Sequence, residues 1–204
     1  MTAFIEQQMK DDNVTGLAIA LVDDQQVVWT RGFGYADAAN KIPATKDTLF
    51  EIGSNSKTFT AALVMQLAEN GRLEIDDSLS KYLPGFAIGA PLGSFPSAGG
   101  PITIRAMLNH HADIPGDLLN GAFTGSVAYP DYNARLISYL AGEYADYPPD
   151  FLLAYSNTSI TLLSDVVASA SGQSFQARSQ RFFTDLGMDH STPAVAPVFW
   201  ACGT

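Results

Sequence analysis

Ser54 and Lys57 stand three residues apart in Gly53-Ser54-Asn55-Ser56-Lys57, at the start of a helix-like run. Side chains three apart on a helix share one face, one turn from each other. A lysine amine so placed takes the proton from a serine hydroxyl, and the serine oxygen can then attack a carbonyl carbon. Tyr155-Ser156-Asn157 supplies a second group of the same kind further along the chain. A phenol near a lysine works as acid or base, and the Asn157 carboxamide offers a donor and an acceptor to an amide-like substrate. Each group has a plain structural alternative. Ser-x-x-Lys arises by chance in helices, Asn157 suits a helix N-cap, and Tyr155 can simply pack. Read together, they point to a serine hydrolase that forms an acyl-enzyme.

The elements that must position these residues follow from periodicity and turn chemistry. Phe4, Ile5, Gln8 and Met9 predict a short amphipathic helix over residues 2–12. Leu17 to Val22 and Gln26 to Thr30 read as two strands joined at Asp23-Asp24-Gln25, an antiparallel hairpin. Gly32 and Gly34 read as a strand exit, because no strand, glycine-rich turn and helix surround them as a phosphate loop requires. Helix signals dominate after residue 50. A helix is predicted from Ser54 to Asn70, with Phe59, Leu63 and Leu67 as its stripe and Gly71 as its left-handed stop. Residues 84–101 are rich in proline and glycine and read as a loop. Thr103 caps a helix through Leu108, and Leu136, Ile137 and Leu140 mark another. Ile160, Leu163, Val166 and Val167 mark a long helix stopped at Gly172, and Ser174 caps a last one through Phe182.

A hairpin followed by a mass of helices places the chain in the α+β class. Leu17 to Val22 is apolar at nearly every position and calls for cover on both faces, while an isolated hairpin is marginal in water. The final run Val198-Phe199-Trp200-Ala201-Cys202 carries no capping signal. The expectation from these features is an N-terminal fragment whose sheet is incomplete, with later strands lying beyond it.

Composition narrows the function. The 204 residues carry 11 basic and 21 acidic side chains, a net charge of -10, with 47% hydrophobic content. No basic cluster appears, which argues against nucleic acid as a partner. No stretch approaches the roughly 20 apolar residues of a membrane span. Met1 to Lys10 lack the basic start and apolar run of a secretion signal. Cys202 is the single cysteine, so no internal disulfide forms. His110, His111 and Asp113 raise the question of a metal site. Adjacent helical histidines point about 100° apart and rarely share an ion, so a helix-end packing role is favoured and no metal or cofactor is expected. Tyr129, Tyr132, Tyr139, Tyr144 and Tyr147 either line a substrate cleft or pack, and packing is the commoner fate.

Several ordered segments resemble the serine β-lactamase and penicillin-binding-protein superfamily, on the branch of class C β-lactamases, DD-peptidases and related esterases. Phe50-Glu51-Ile52-Gly53-Ser54-Asn55-Ser56-Lys57-Thr58-Phe59-Thr60 is similar to its nucleophile motif. Gly71-Arg72-Leu73-Glu74-Ile75-Asp76-Asp77, Lys81-Tyr82-Leu83-Pro84, Ile102 to His111 and Leu186-Gly187-Met188 resemble the segments that follow. The resemblance implies Ser54 as nucleophile, Lys57 as its partner, Tyr155 as acid/base and Asn157 as a substrate contact. It implies an antiparallel sheet flanked by helices with a large helical lobe inserted. Residues 1–58 would form the helix, first strands and nucleophile motif of the α/β lobe, and 59–204 the mostly helical lobe. The implied partner is a small-molecule or peptide substrate, a β-lactam, a D-Ala peptide or an ester. Two other readings are a penicillin-binding or sensor module with poor turnover and a non-catalytic scaffold. Relatives are commonly exported to the cell envelope.

The departures are specific. The superfamily's third motif, Lys-Thr-Gly or His-x-Gly on a late strand, has no match: Phe59 follows Lys57-Thr58, and His190-Ser191-Thr192 lacks the glycine. That strand also supplies one oxyanion donor, and losing such a donor costs about 2.7–4 kcal/mol, so these residues alone are expected to turn over little. Asp113 and Asp150 stand where the relatives place glycine, which predicts local strain wherever the backbone needs positive φ.

Overall fold

A computed structural model of the chain describes residues 1–92, 100–116 and 132–193. Among the described residues two compact units emerge, Met1–Glu51 and a second over residues 52–193.

In the first unit, helix α1 (Thr2–Asp11) precedes strands β1 (Gly16–Asp23), β2 (Gln26–Asp37) and β3 (Ile42–Pro43), paired antiparallel in the order β1-β2-β3. Asn13 stops α1 from the left-handed region, at φ +55, and the Val14 N–H donates to the Met9 carbonyl at 2.8 Å. Asn takes this position more readily than most residues other than Gly. The β1–β2 turn falls on Asp24 and Gln25, both at positive φ (+43 and +61), with Asp23 and Gln26 as the closing pair. Two consecutive positive φ values match the twist of a two-residue hairpin.

The sequence-predicted second strand ended at Thr30, with Gly32 and Gly34 outside it. Instead β2 runs on to Asp37 with both glycines inside. The cause is backbone proximity. A Cβ on Gly32 would lie 2.3 Å from the Ala44 carbonyl oxygen, and one on Gly34 2.2 Å from that of Thr15. Glycine inside a strand marks such close approach. Val22, Val27 and Val28 on this sheet are about 60% exposed.

The second unit is helical: α2 (Ser56–Glu69), α3 (Leu79–Tyr82), α4 (Ile104–Leu108), α5 (Tyr132–Leu140), α6 (Asn157–Ser171) and α7 (Phe175–Asp185). Helix α6 is the hub. Its Leu162, Leu163, Val166 and Val167 are fully buried and join a core with Leu63, Val64 and Leu67 of α2, Ile104 and Met107 of α4, and Leu136 and Leu140 of α5. Each such side chain contributes about 1.5–3 kcal/mol relative to exposure.

Local signals set the helix ends. Thr103 and Ser174 cap α4 and α7 by accepting from the N–H groups of Ala106 and Ala177, as their types predict. At the end of α2, Gly71 (φ +65) donates to Ala68 and Arg72 donates to Leu67, the paired bonds of a Schellman stop. Gly187 repeats that arrangement after α7, and Gly172 (φ +71) stops α6. Helices together with an antiparallel three-stranded sheet make this an α+β protein. Tyr139, Tyr144 and Tyr147 are exposed, Tyr132 opens α5, and Tyr129 lies outside the described residues, as do residues 93–99 of the predicted loop and the run from Val198 to Cys202.

Candidate active site

All four candidate residues belong to the second unit. Ser54 sits in a 3-10 turn, Gly53–Asn55, that leads directly into α2, so it precedes the helix rather than opening it. Gly53 takes φ +52, a conformation that strains any residue with a Cβ. Its role is conformational, since a Cβ there would meet nothing within 4 Å. Lys57 lies in the first turn of α2 and is half-buried.

Tyr155 arrives from the segment before α6. Exposure alternates along it: Phe151, Leu153 and Tyr155 are exposed, while Leu152 and Ala154 are partly covered and Ser156 is buried. After the bend at Phe151 and Leu152, this is the period-two pattern of an extended chain. The backbone is pinned at both ends. The Ala154 N–H donates to the His110 carbonyl at 2.8 Å, and the N–H groups of Asn157 and Thr158 donate to the Gly116 carbonyl at 3.1 and 3.2 Å. Ser156 caps α6 by accepting from the Ser159 N–H at 3.0 Å. Asn157 is thus the first residue of the helix, one position past its cap.

The Ser54 Oγ and the Tyr155 hydroxyl are 2.7 Å apart. Lys57 Nζ donates to Ser54 Oγ at 3.2 Å and lies 4.9 Å from the centre of the Tyr155 ring. One hydroxyl is therefore shared by an amine and a phenol. A proton on Ser54 Oγ has an acceptor within hydrogen-bond reach, which is the geometry an activated serine requires. The ammonium over the aromatic face adds an electrostatic attraction.

His110 joins this group, although its sequence context suggested only helix-end packing. It lies past α4, at φ +62. Its ring packs on the Tyr155 ring at 4.6 Å between centroids, and its Nδ1 accepts from the Ser156 N–H at 3.3 Å. Burial, with Lys57 and His111 adding positive charge nearby, holds its pKa below the usual histidine value. Nothing in the sequence marks this, because it depends on the end of α4 meeting a segment some 45 residues later. His111 turns elsewhere, its Nδ1 lying 2.9 Å from the Asn109 carbonyl. Among the described residues no three His, Cys, Asp or Glu side chains are placed to hold a metal ion.

Asp113 and Asp150 both adopt positive φ, +53 and +65, as their placement at glycine positions predicts. Asp113 is also 1% exposed, and neither carboxylate oxygen has a hydrogen-bond partner. Burial, reinforced by Asp146, pushes its pKa up to about 6.

Comparison with known proteins identifies the family. The Beta-lactamase family model matches residues 1–199. Protein flp of Staphylococcus aureus strain MW2 is 29% identical over 92% of this chain and 36% of its own length. Penicillin-binding protein 4 of Amycolatopsis lactamdurans is 32% identical over 89% of this chain and 45% of its own. The β-lactamase/D-alanine carboxypeptidase structure from Pseudomonas syringae superposes with a TM-score of 0.78 at 28% identity, covering 98% of this chain and 52% of that one. The D-alanine carboxypeptidase AmpC from Burkholderia cenocepacia gives 0.75 at 31%, covering 97% and 50%. The chain spans between a third and about half of the length of these relatives. With residues 1–199 of its 204 matched by that family model, the chain belongs to the beta-lactamase family.

Proposed function

We propose that Ser54 attacks an amide or ester carbonyl and carries the acyl group as a covalent intermediate. Lys57 or the Tyr155 phenolate accepts the Ser54 proton as the oxygen–carbon bond forms. Tyr155 then delivers a proton to the departing nitrogen or oxygen as the scissile bond breaks. Water attacks the acyl-Ser54 ester and gives up a proton to the same Tyr155–Lys57 pair, which returns it to Ser54 Oγ as the acyl–oxygen bond breaks, releasing a carboxylic acid and free Ser54. Asn157 contacts the substrate amide. The observation that carries this reading is the 2.7 Å approach of the Tyr155 hydroxyl to Ser54 Oγ with Lys57 Nζ at 3.2 Å. The relatives named as D-alanine carboxypeptidases and a penicillin-binding protein point to D-Ala peptides and β-lactams as the substrate class.

The test is hydrolysis of p-nitrophenyl acetate, benzylpenicillin and a D-Ala-D-Ala peptide by the full-length gene product. Turnover lost in Ser54→Ala supports the reading. Equal rates in wild type and Ser54→Ala overturn it. A stable Ser54 adduct with slow release marks a penicillin-binding module instead.

A further inference from the structure

We propose that His110 is a positioning residue for Tyr155, clamping the phenol against Ser54. The inference rests on the acyl-transfer reading and assigns a role to a residue outside its Ser54, Lys57, Tyr155 and Asn157 set.

Three consecutive residues of the tyrosine segment are held by this one histidine. Its carbonyl accepts from the Ala154 N–H at 2.8 Å. Its ring packs on Tyr155 at 4.6 Å and a 38° tilt. Its Nδ1 accepts from the Ser156 N–H at 3.3 Å. Tyr155 thus has a neighbour anchored on each side and an aromatic wall against its ring, while its hydroxyl meets Ser54.

The backbone at His110 is unusual for a side chain of this size. It occupies the position after the C-cap of α4 in the left-handed region, φ +62, with the His110 and His111 N–H groups donating back to Met107 and Ala106. Glycine is the ordinary occupant of that position, because a Cβ is sterically strained there. A glycine would close α4 equally well but would supply neither the ring contact nor the Nδ1 acceptor.

An accepting Nδ1 requires a lone pair there, so the ring is neutral with its proton on Nε2. Protonation would set an N–H against the Ser156 N–H and remove the bond. Among the described residues, the charged and titratable groups facing the ring are Lys57 on α2, Tyr155 itself and the neighbouring His111. Burial first, then the positive charge contributed by Lys57, favours the neutral ring, so the clamp persists at neutral pH and fails on the acid side of the ordinary histidine range.

The experiment uses the full-length gene product, with two variants and two readouts. His110→Gly suits the backbone and removes the ring. His110→Asn also tolerates left-handed φ and returns an oxygen acceptor for the Ser156 N–H. On p-nitrophenyl acetate, His110→Gly is expected to lose about tenfold in kcat, the worth of one hydrogen bond, with KM within about twofold. It should also lose the acid limb of the kcat profile. His110→Asn should recover most of the rate without regaining that limb. Nitrogen-15 histidine spectra of the wild type should show an unprotonated Nδ1 and a protonated Nε2 at pH 7.5. A wild-type kcat and acid limb in His110→Gly, or an Nδ1–H tautomer, overturns the proposal. Equal turnover in wild type and Ser54→Ala would instead defeat the acyl-transfer reading, and the tautomer measurement would still judge the clamp.

Discussion

Gly116 lies so close to Tyr155 that a Cβ built on it would come within 2.7 Å of the Tyr155 carbonyl oxygen. The Gly116 carbonyl meanwhile accepts from the N–H groups of Asn157 and Thr158 and from the Thr158 hydroxyl. Gly116 therefore fixes the start of α6 and the C-terminal side of the tyrosine segment, as His110 fixes the segment before it. The first N–H groups of a helix need external partners, and this carbonyl supplies two of them.

Gly116→Ala should displace the Tyr155 backbone, because the atom it meets is backbone and cannot rotate away. A shift of even 1 Å at a positioned group costs about a hundredfold in rate. The expected outcome is a large fall in kcat on p-nitrophenyl acetate with a helical circular dichroism spectrum close to wild type. An unchanged kcat would show that Tyr155 tolerates the displacement.

Asp113 sets a pH dependence of stability. Its folded-state pKa of about 6 exceeds the ordinary carboxylate value of 3.8, so the folded chain holds a proton that the unfolded chain has released. Stability from this group therefore falls as pH rises from about 4 to about 6, and the full penalty persists above that. At about 1.36 kcal/mol per pH unit, the penalty is at most on the order of 3 kcal/mol. Asp113→Asn keeps a residue that tolerates positive φ and removes the buried charge. It should raise the urea midpoint at pH 8 clearly more than at pH 4. Equal gains at both pH values would contradict the burial argument.

Tyr155→Phe keeps the ring that packs on His110 and faces Lys57 but deletes the hydroxyl 2.7 Å from Ser54. Loss of a general acid or base costs roughly 10²–10⁴ in rate. Lys57→Met should show a loss of the same order, and the double variant should be little worse than either alone, because the two groups act on one proton. Steady-state kinetics of the three proteins checks this, and independent multiplying losses would contradict a shared path.

How far these features are legible in the sequence depends on the distance over which each is decided. The Ser54–Lys57 contact is local, one helical turn, and its spacing shows it. The caps at Thr103 and Ser174, the stops at Gly71 and Gly172, and the Asp24-Gln25 turn are equally local and fall where residue type puts them. Strand β2 exceeded its expected length because Gly32 and Gly34 are explained by the backbones of Ala44 and Thr15, which no window around them contains. His110 and Gly116 escape for the same reason: each acts on a segment tens of residues away. The positive φ at Asp113 is expected from the resemblance, which puts glycine at that position. The burial of its carboxylate without a partner follows only from packing.

The most direct test of an acyl-serine mechanism is intact-mass analysis of the full-length gene product, quenched in acid during turnover of p-nitrophenyl acetate and then digested to locate the label. An acetyl adduct on the peptide carrying Ser54, absent in Ser54→Ala, is the expected result. Turnover without any adduct on that peptide, or an adduct that survives Ser54→Ala, would contradict it.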